Sequence, residues 1–259
     1  MDLQIQDKVI VVTGGAKGIG ESISRTLARE NATVAIVGRN ETDNNNLAAA
    51  IKQAGGNALP FTYELTEAEA CSRAVREIVE KLGRIDGLVN NAGINDGVSL
   101  EHGSYQEFMH SLHRNLIHYY LMTHHALPYL KATQGSIVNI GSKTAETGQG
   151  GTSAYAAANG GRNALTREWA VELLPFGIRV NAVIVAECFT PMYKKWINTQ
   201  PNPDSLLQKI ENRIPLDKRM TTGSEIAAMV AFLLSPQSSH TTGQLIHVDG
   251  GYVHLDRAL

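Results

Sequence analysis

Brief β-branched runs bounded by glycine or asparagine alternate with longer stretches of helical apolar spacing along almost the whole chain. The runs at residues 9–13, 33–37, 87–90, 136–140, 179–184 and 245–248 are continuous and apolar, as strands buried on both faces of a parallel sheet are. A further run at 57–61 raises the expected count to about seven strands. Helical spacing occupies residues 19–30, 46–54, 67–82, 108–130, 153–174 and 224–234. Regular alternation of this kind predicts an α/β fold, a doubly wound parallel sheet with helices on both faces. No Ser/Pro-rich linker interrupts it, so residues 1–259 read as one domain. Residues 191–215 are polar and proline-punctuated, and read as an excursion outside the core, placed to act as a lid.

With 43% hydrophobic content over 259 residues, the chain can bury one sizeable core. The net charge of −2, without a basic block, argues against nucleic acid or an anionic membrane surface as partner. Two cysteines, Cys71 and Cys188, show no close pairing or metal-ligand spacing and fit a reducing compartment better than a disulfide scaffold. No signal-like start and no bilayer-length apolar run is present, so a cytoplasmic protein is expected. His110, His113, His118, His124 and His125 crowd one helical region but lack a carboxylate at ligand spacing, so no metal site is expected.

Thr13-Gly14-Gly15-Ala16-Lys17-Gly18-Ile19-Gly20 follows a strand and opens a helix. Glycines there let the backbone turn sharply and approach a pyrophosphate, while the helix N-terminus offers free N–H groups to it. The pattern predicts a nucleotide-binding turn of Rossmann type, and no Gly-Lys-Ser/Thr closes it as a P-loop would. The second strand ends Val37-Gly38-Arg39, without the acidic residue that would repel a 2′-phosphate. Arg39 and Lys17 are the cations that would attract one, which favours NADP over NAD; the competing reading makes Arg39 a solvated surface charge.

That turn, Asn90-Asn91-Ala92-Gly93, Asn115, and the step from Ser142 to Tyr155 together resemble the short-chain dehydrogenase/reductase family over almost the full chain. The resemblance implies that Ser142 holds the substrate oxygen, Tyr155 takes its proton, and Asn115 orders a water relay. It also implies cofactor contacts from Gly14, Lys17, Gly18, Ile19, Gly20, Arg39, Glu64, Leu65, Asn91, Ala92, Gly93, Tyr155, Asn159 and Thr190, and a homotetrameric assembly. Relatives carry a lysine four residues after the tyrosine, where this chain has Asn159. A charge about 5 Å from a tyrosine at dielectric ~20 is worth about 3 kcal/mol, so its loss costs on the order of 100-fold in reactive tyrosinate. From sequence alone, Asn159→Lys is expected to restore that rate. Arg162, next along the same helix face, and Lys143, beside Ser142, are the candidate substitutes, although an ordinary surface arginine is the simpler reading of Arg162. Asn159 fits a natural variant in a working enzyme, an engineered substitution, or a relative that only binds cofactor.

Glu187, after the sixth strand, is a poor neighbour for an apolar substrate and a good one for a polyol, whose hydroxyls donate to it. Glu146 and Gln149 add similar capacity, and Asn95 completes the expected substrate set. Several longer stretches, including Leu165-Thr-Arg-Glu-Trp-Ala170 and the ending from Val248 to Leu259, resemble the bacterial L-fucose dehydrogenase group. That resemblance implies oxidation of an aldose such as L-fucose at its anomeric carbon, with 3-oxoacyl thioester reduction as the rival chemistry. The family resemblance also implies a contact with a neighbouring subunit for the tail around residues 254–257, whose competing reading is a frayed end.

Overall fold

A computed structural model describes residues 1–255. In chain order the elements are β1 (Val9–Thr13), α1 (Gly18–Arg29), β2 (Thr33–Gly38), α2 (Glu41–Gln53), β3 (Asn57–Thr62), α3 (Ala68–Leu82), β4 (Gly87–Asn90), α4 (Tyr105–Leu112) and α5 (His118–Thr133). There follow β5 (Ser136–Ser142), α6 (Ser153–Glu172), β6 (Arg179–Val185), α7 (Pro191–Ile197), α8 (Pro203–Glu211), α9 (Gly223–Leu234) and β7 (Leu245–Val248). The strands form one seven-stranded sheet in the order β3-β2-β1-β4-β5-β6-β7, with every pairing parallel. Strand order reverses between β1 and β4, which opens the crevice at their carboxyl ends where ligands of such sheets bind.

Side-chain alternation sends successive strand residues to opposite layers. Ile10 and Val12 join one core with Ile23 and Leu27 of α1, Leu47 of α2 and Val230 of α9. Val11 joins the other, with Ile78 of α3, Met122 of α5 and Trp169 of α6. Each fully buried aliphatic side chain of this size contributes about 1.5–3 kcal/mol relative to exposure. The expected doubly wound domain is therefore observed, with its seven strands.

Departures from the expected elements have local causes. Helix α2 begins at Glu41 rather than residue 46, because Asn40 caps it by accepting from the Asp43 N–H at 2.9 Å. Its first turn is wholly polar and carries no apolar period. The helix expected at 108–130 starts at Tyr105 behind a Ser104/Glu107 capping box, and widens to a π turn over His113–Ile117. Within that turn Asn115 donates its side-chain amide to the Ser111 carbonyl at 3.0 Å, so a side chain competes for the helix's own ladder. The excursion at 191–215 carries α7 and α8, anchored by buried Ile197 and Ile214 while Met192 and Trp196 stay exposed, as does Phe189 just before it. Among the described residues no helix is long and apolar enough to cross a membrane. Asp256 and Arg257 of the expected tail contact lie outside the described residues.

Candidate active site

The turn between β1 and α1 is built too tightly for side chains. A Cβ on Gly20 would stand 2.1 Å from the Gly14 carbonyl oxygen, and Gly14 itself has φ +61°. Asn91, following β4, braces the turn: its amide donates to the Thr13 and Gly14 carbonyls at 2.9 and 3.2 Å. The backbone N–H groups of Asn91 and Ala92 donate to the Thr13 hydroxyl at 2.9 and 3.1 Å. Behind them, Asn90 crosses the sheet to Asn139 at 3.0 Å. Gly18 faces Thr190, which would lie 3.4 Å from a Cβ placed there, so the start of α7 flanks the turn. Ile19 packs on the first core layer.

At the end of β2 both cations expected to meet a phosphate already have carboxylate partners. Arg39 lies 3.5 Å from Glu64, and Lys17 lies 2.6 Å from Asp43. All four groups are at least partly exposed, so these are rim pairs of small energetic weight. Leu65, next to Glu64, is buried in the second core layer.

Tyr155, Asn159 and Arg162 share one face of α6, and the structure brings Asn115 to the same place. Arg162 corrects the simpler sequence reading: it is 3% exposed, not a surface charge. Its guanidinium donates to the carbonyls of Asn115 at 2.6 Å and Ile140 at 3.1 Å, and to Asn159 Oδ1 at 3.0 Å. Asn159, wholly buried, in turn donates to the Tyr155 carbonyl at 2.9 Å. The guanidinium carbon lies 4.3 Å from the Tyr119 ring centre and 6.0 Å from that of Tyr155. Burial and then the Arg162 charge push His118 down to about 4, so its ring is neutral at neutral pH. Gly93 allows the close approach, since a Cβ there would meet both Arg162 and Asn115 at 2.9 Å. Asn115 Oδ1 also accepts from the Ile94 N–H at 2.8 Å, which ties the segment after β4 to the π turn.

Ser142 ends β5, two residues beyond the Ile140 carbonyl that Arg162 holds, and its hydroxyl accepts from the Thr144 N–H and hydroxyl at 3.3 and 3.1 Å. Lys143, the other candidate substitute, is engaged elsewhere: it forms a largely buried ion pair with Glu187 under the Tyr252 ring, 4.1 Å from its centre. Tyr193 of α7 hydrogen-bonds Glu187, and burial followed by that carboxylate's charge raises its hydroxyl well above the usual phenol range. Neither tyrosine was named as a site residue from sequence, and no local signal marked them. Asn95 and Gln149 are exposed; Asn95 accepts from the Gly97 N–H at 3.3 Å. Glu146 turns to a cleft between α6 and β7, where it meets His247 at 3.1 Å.

A model of the family described as Enoyl-(Acyl carrier protein) reductase matches residues 14–253. Across 255 residues the chain is 36% identical to the 3-oxoacyl-(acyl-carrier-protein) reductase FabG of Thermotoga maritima, covering 97% of this chain and 100% of that protein. The chain belongs to the short-chain dehydrogenase/reductase family. It is also similar to the L-fucose dehydrogenase of Bos taurus, at 31% identity over 97% of this chain and 91% of that protein. The crystal structure of Cj0485 dehydrogenase superposes with a TM-score of 0.94 at 46% identity, covering 100% of this chain and 99% of that one.

As a short-chain dehydrogenase/reductase, the protein is an NAD(P)-dependent oxidoreductase. The crevice fits such a cofactor: the glycine turn leaves no room for side chains, and the N–H groups opening the twelve-residue α1 suit a pyrophosphate. Beyond it, the Tyr155–Asn159–Arg162 face and Ser142 offer a phenol, a hydroxyl and a fixed buried cation at one end of the sheet.

Proposed function

We propose that the protein oxidises an L-fucose-like aldose at its hemiacetal carbon, forming the lactone, with NADP as the preferred cofactor. Bound NADP supplies the hydride acceptor. Ser142 holds the substrate hydroxyl by hydrogen bond, and Tyr155 takes its proton as the C–H bond breaks. Asn159 and Arg162 fix the helix face behind Tyr155, with Asn115 joined to the same network. The observation that carries the sugar reading is the largely buried Lys143–Glu187 pair next to Ser142 in the chain, with the Tyr193 hydroxyl on the carboxylate. A wall of donors and acceptors offers a polyol partners that an acyl chain could not use. Glu146 lies apart from this wall and is not needed by the proposal. The reading takes the enzyme to be a cytoplasmic homotetramer of carbohydrate metabolism.

The similarity to a 3-oxoacyl reductase favours a second reading, reduction of a 3-oxoacyl thioester. A panel of aldoses with NADP or NAD, set against 3-oxoacyl esters with the reduced cofactors, distinguishes the two. Turnover of the esters alone overturns the sugar reading, and turnover of neither leaves a protein that only binds cofactor.

Glu187→Ala is expected to raise the apparent KM for the aldose by roughly tenfold to a hundredfold, the worth of one charge-assisted hydrogen bond of about 1.5–3 kcal/mol. The KM for cofactor should move far less. Unchanged sugar kinetics would reduce Glu187 to a partner for Lys143.

Arg39→Ala is expected to weaken NADP binding by about tenfold, or ~1.4 kcal/mol, and to leave NAD nearly unaffected. The pairing with Glu64 sets the modest size of the effect, because Arg39 must exchange one anion for another. Fluorescence titration of both cofactors measures it, and equal affinities in both proteins would remove the NADP preference.

A further inference from the structure

We propose that Glu146, His247 and His254 form a binding site for a zinc-type divalent ion, separate from the nucleotide crevice. Their ligand atoms all lie within 4.8 Å of one another, although the residues come from the turn after β5, from β7 and from the C-terminal segment. Glu146 Oε2 is 3.1 Å from His247 Nε2 and 3.9 Å from His254 Nε2. Donors about 2.05 Å from a tetrahedral ion stand roughly 3.4 Å apart, so these separations bracket the required one. The two imidazoles meet edge to face, with centres 4.3 Å apart, each presenting Nε2 to the same carboxylate.

Two imidazoles and one carboxylate suit zinc and its neighbours rather than magnesium or calcium, which favour oxygen donors. A cleft of about 780 Å³ borders the cluster and leaves room for water as the remaining ligand. Asn163, 7% exposed, points its amide at Glu146 Oε1 from 3.5 Å and so orients the carboxylate from behind. The ion fastens the C-terminal segment to the turn that follows Ser142. Tyr252, in that segment, covers Lys143, so the fastening reaches the wall of the crevice.

The test is calorimetric titration of metal-stripped full-length protein with Zn²⁺, alongside thermal unfolding with and without the ion. Native protein should bind one ion per chain and melt at a higher temperature with it. Glu146→Gln and His254→Ala, both at exposed positions, should each weaken binding at least tenfold and abolish the thermal gain. A His124→Ala/His125→Ala variant controls for the edge-to-face imidazoles on α5 and should bind as native does. Unchanged affinity in the first two variants, loss only in the control, or no binding by native protein would each overturn the proposal.

Discussion

Asn159→Lys is expected to destabilise the protein and to leave its rate at neutral pH no higher, against the gain that sequence alone suggests. Asn159 is wholly buried, and its Oδ1 already accepts from Arg162 at 3.0 Å. A lysine would bring an ammonium against that guanidinium; two like charges at roughly 4 Å and effective dielectric ~20 repel by about 4 kcal/mol. The lost hydrogen bond adds about 1 kcal/mol. For a chain of this size, each kcal/mol lowers the melting temperature by about 2–4 °C, so a fall of roughly 10–20 °C is expected. Tyr155 already has a positive charge nearby, with the Arg162 guanidinium carbon 6.0 Å from its ring centre. Adding Arg162→Gln to Asn159→Lys should recover much of the lost stability by removing the repulsion. Thermal unfolding and initial rates for the native, single and double variants form the measurement. A single variant as stable as native and tenfold faster would show that Arg162 does not occupy the place of that charge.

Tyr155→Phe should lower turnover by about 10²–10⁴-fold, the usual worth of a positioned proton acceptor. The substitution removes one oxygen and keeps the ring beside the guanidinium, so folding and cofactor affinity should hold. Initial rates with saturating cofactor, together with cofactor titration by fluorescence, separate chemistry from binding. A variant that keeps most of its turnover while binding cofactor normally would assign the proton to another group. His118 and Tyr119 also face Arg162 from α5, but His118 is buried and hydrogen-bonded to the Arg114 carbonyl at 2.9 Å. The Tyr119 hydroxyl is committed to the Ile140 carbonyl at 3.0 Å. Neither offers a ready replacement.

The alternation of strands and helices, their order, and the glycine turn were legible in the sequence because each is a local property. A strand buried on both faces has to be a short apolar run, while Gly14 at φ +61° and Gly20, where a Cβ would stand 2.1 Å from the Gly14 carbonyl oxygen, each require glycine. Ser142, Tyr155 and Asn115 were legible through the resemblance to the short-chain dehydrogenase/reductases, whose motifs the chain carries in order. The start of α2 and the π turn at Asn115 were hidden, since a polar cap and a side chain competing for a helical carbonyl leave no hydrophobic period. The tertiary structure alone decided where the charges went. Arg162 reads as a surface residue until α6 packs over β5 and delivers its guanidinium to the carbonyls of Asn115 and Ile140. Lys143 and Glu187 pair across 44 residues because β5 and β6 lie side by side in register, Ser142 opposite Val185. Glu146 and His247 meet across 101 residues for the same kind of reason. A charge takes its partner from whatever the fold brings within a few ångströms, and that distance is a property of the packed chain, not of spacing along it.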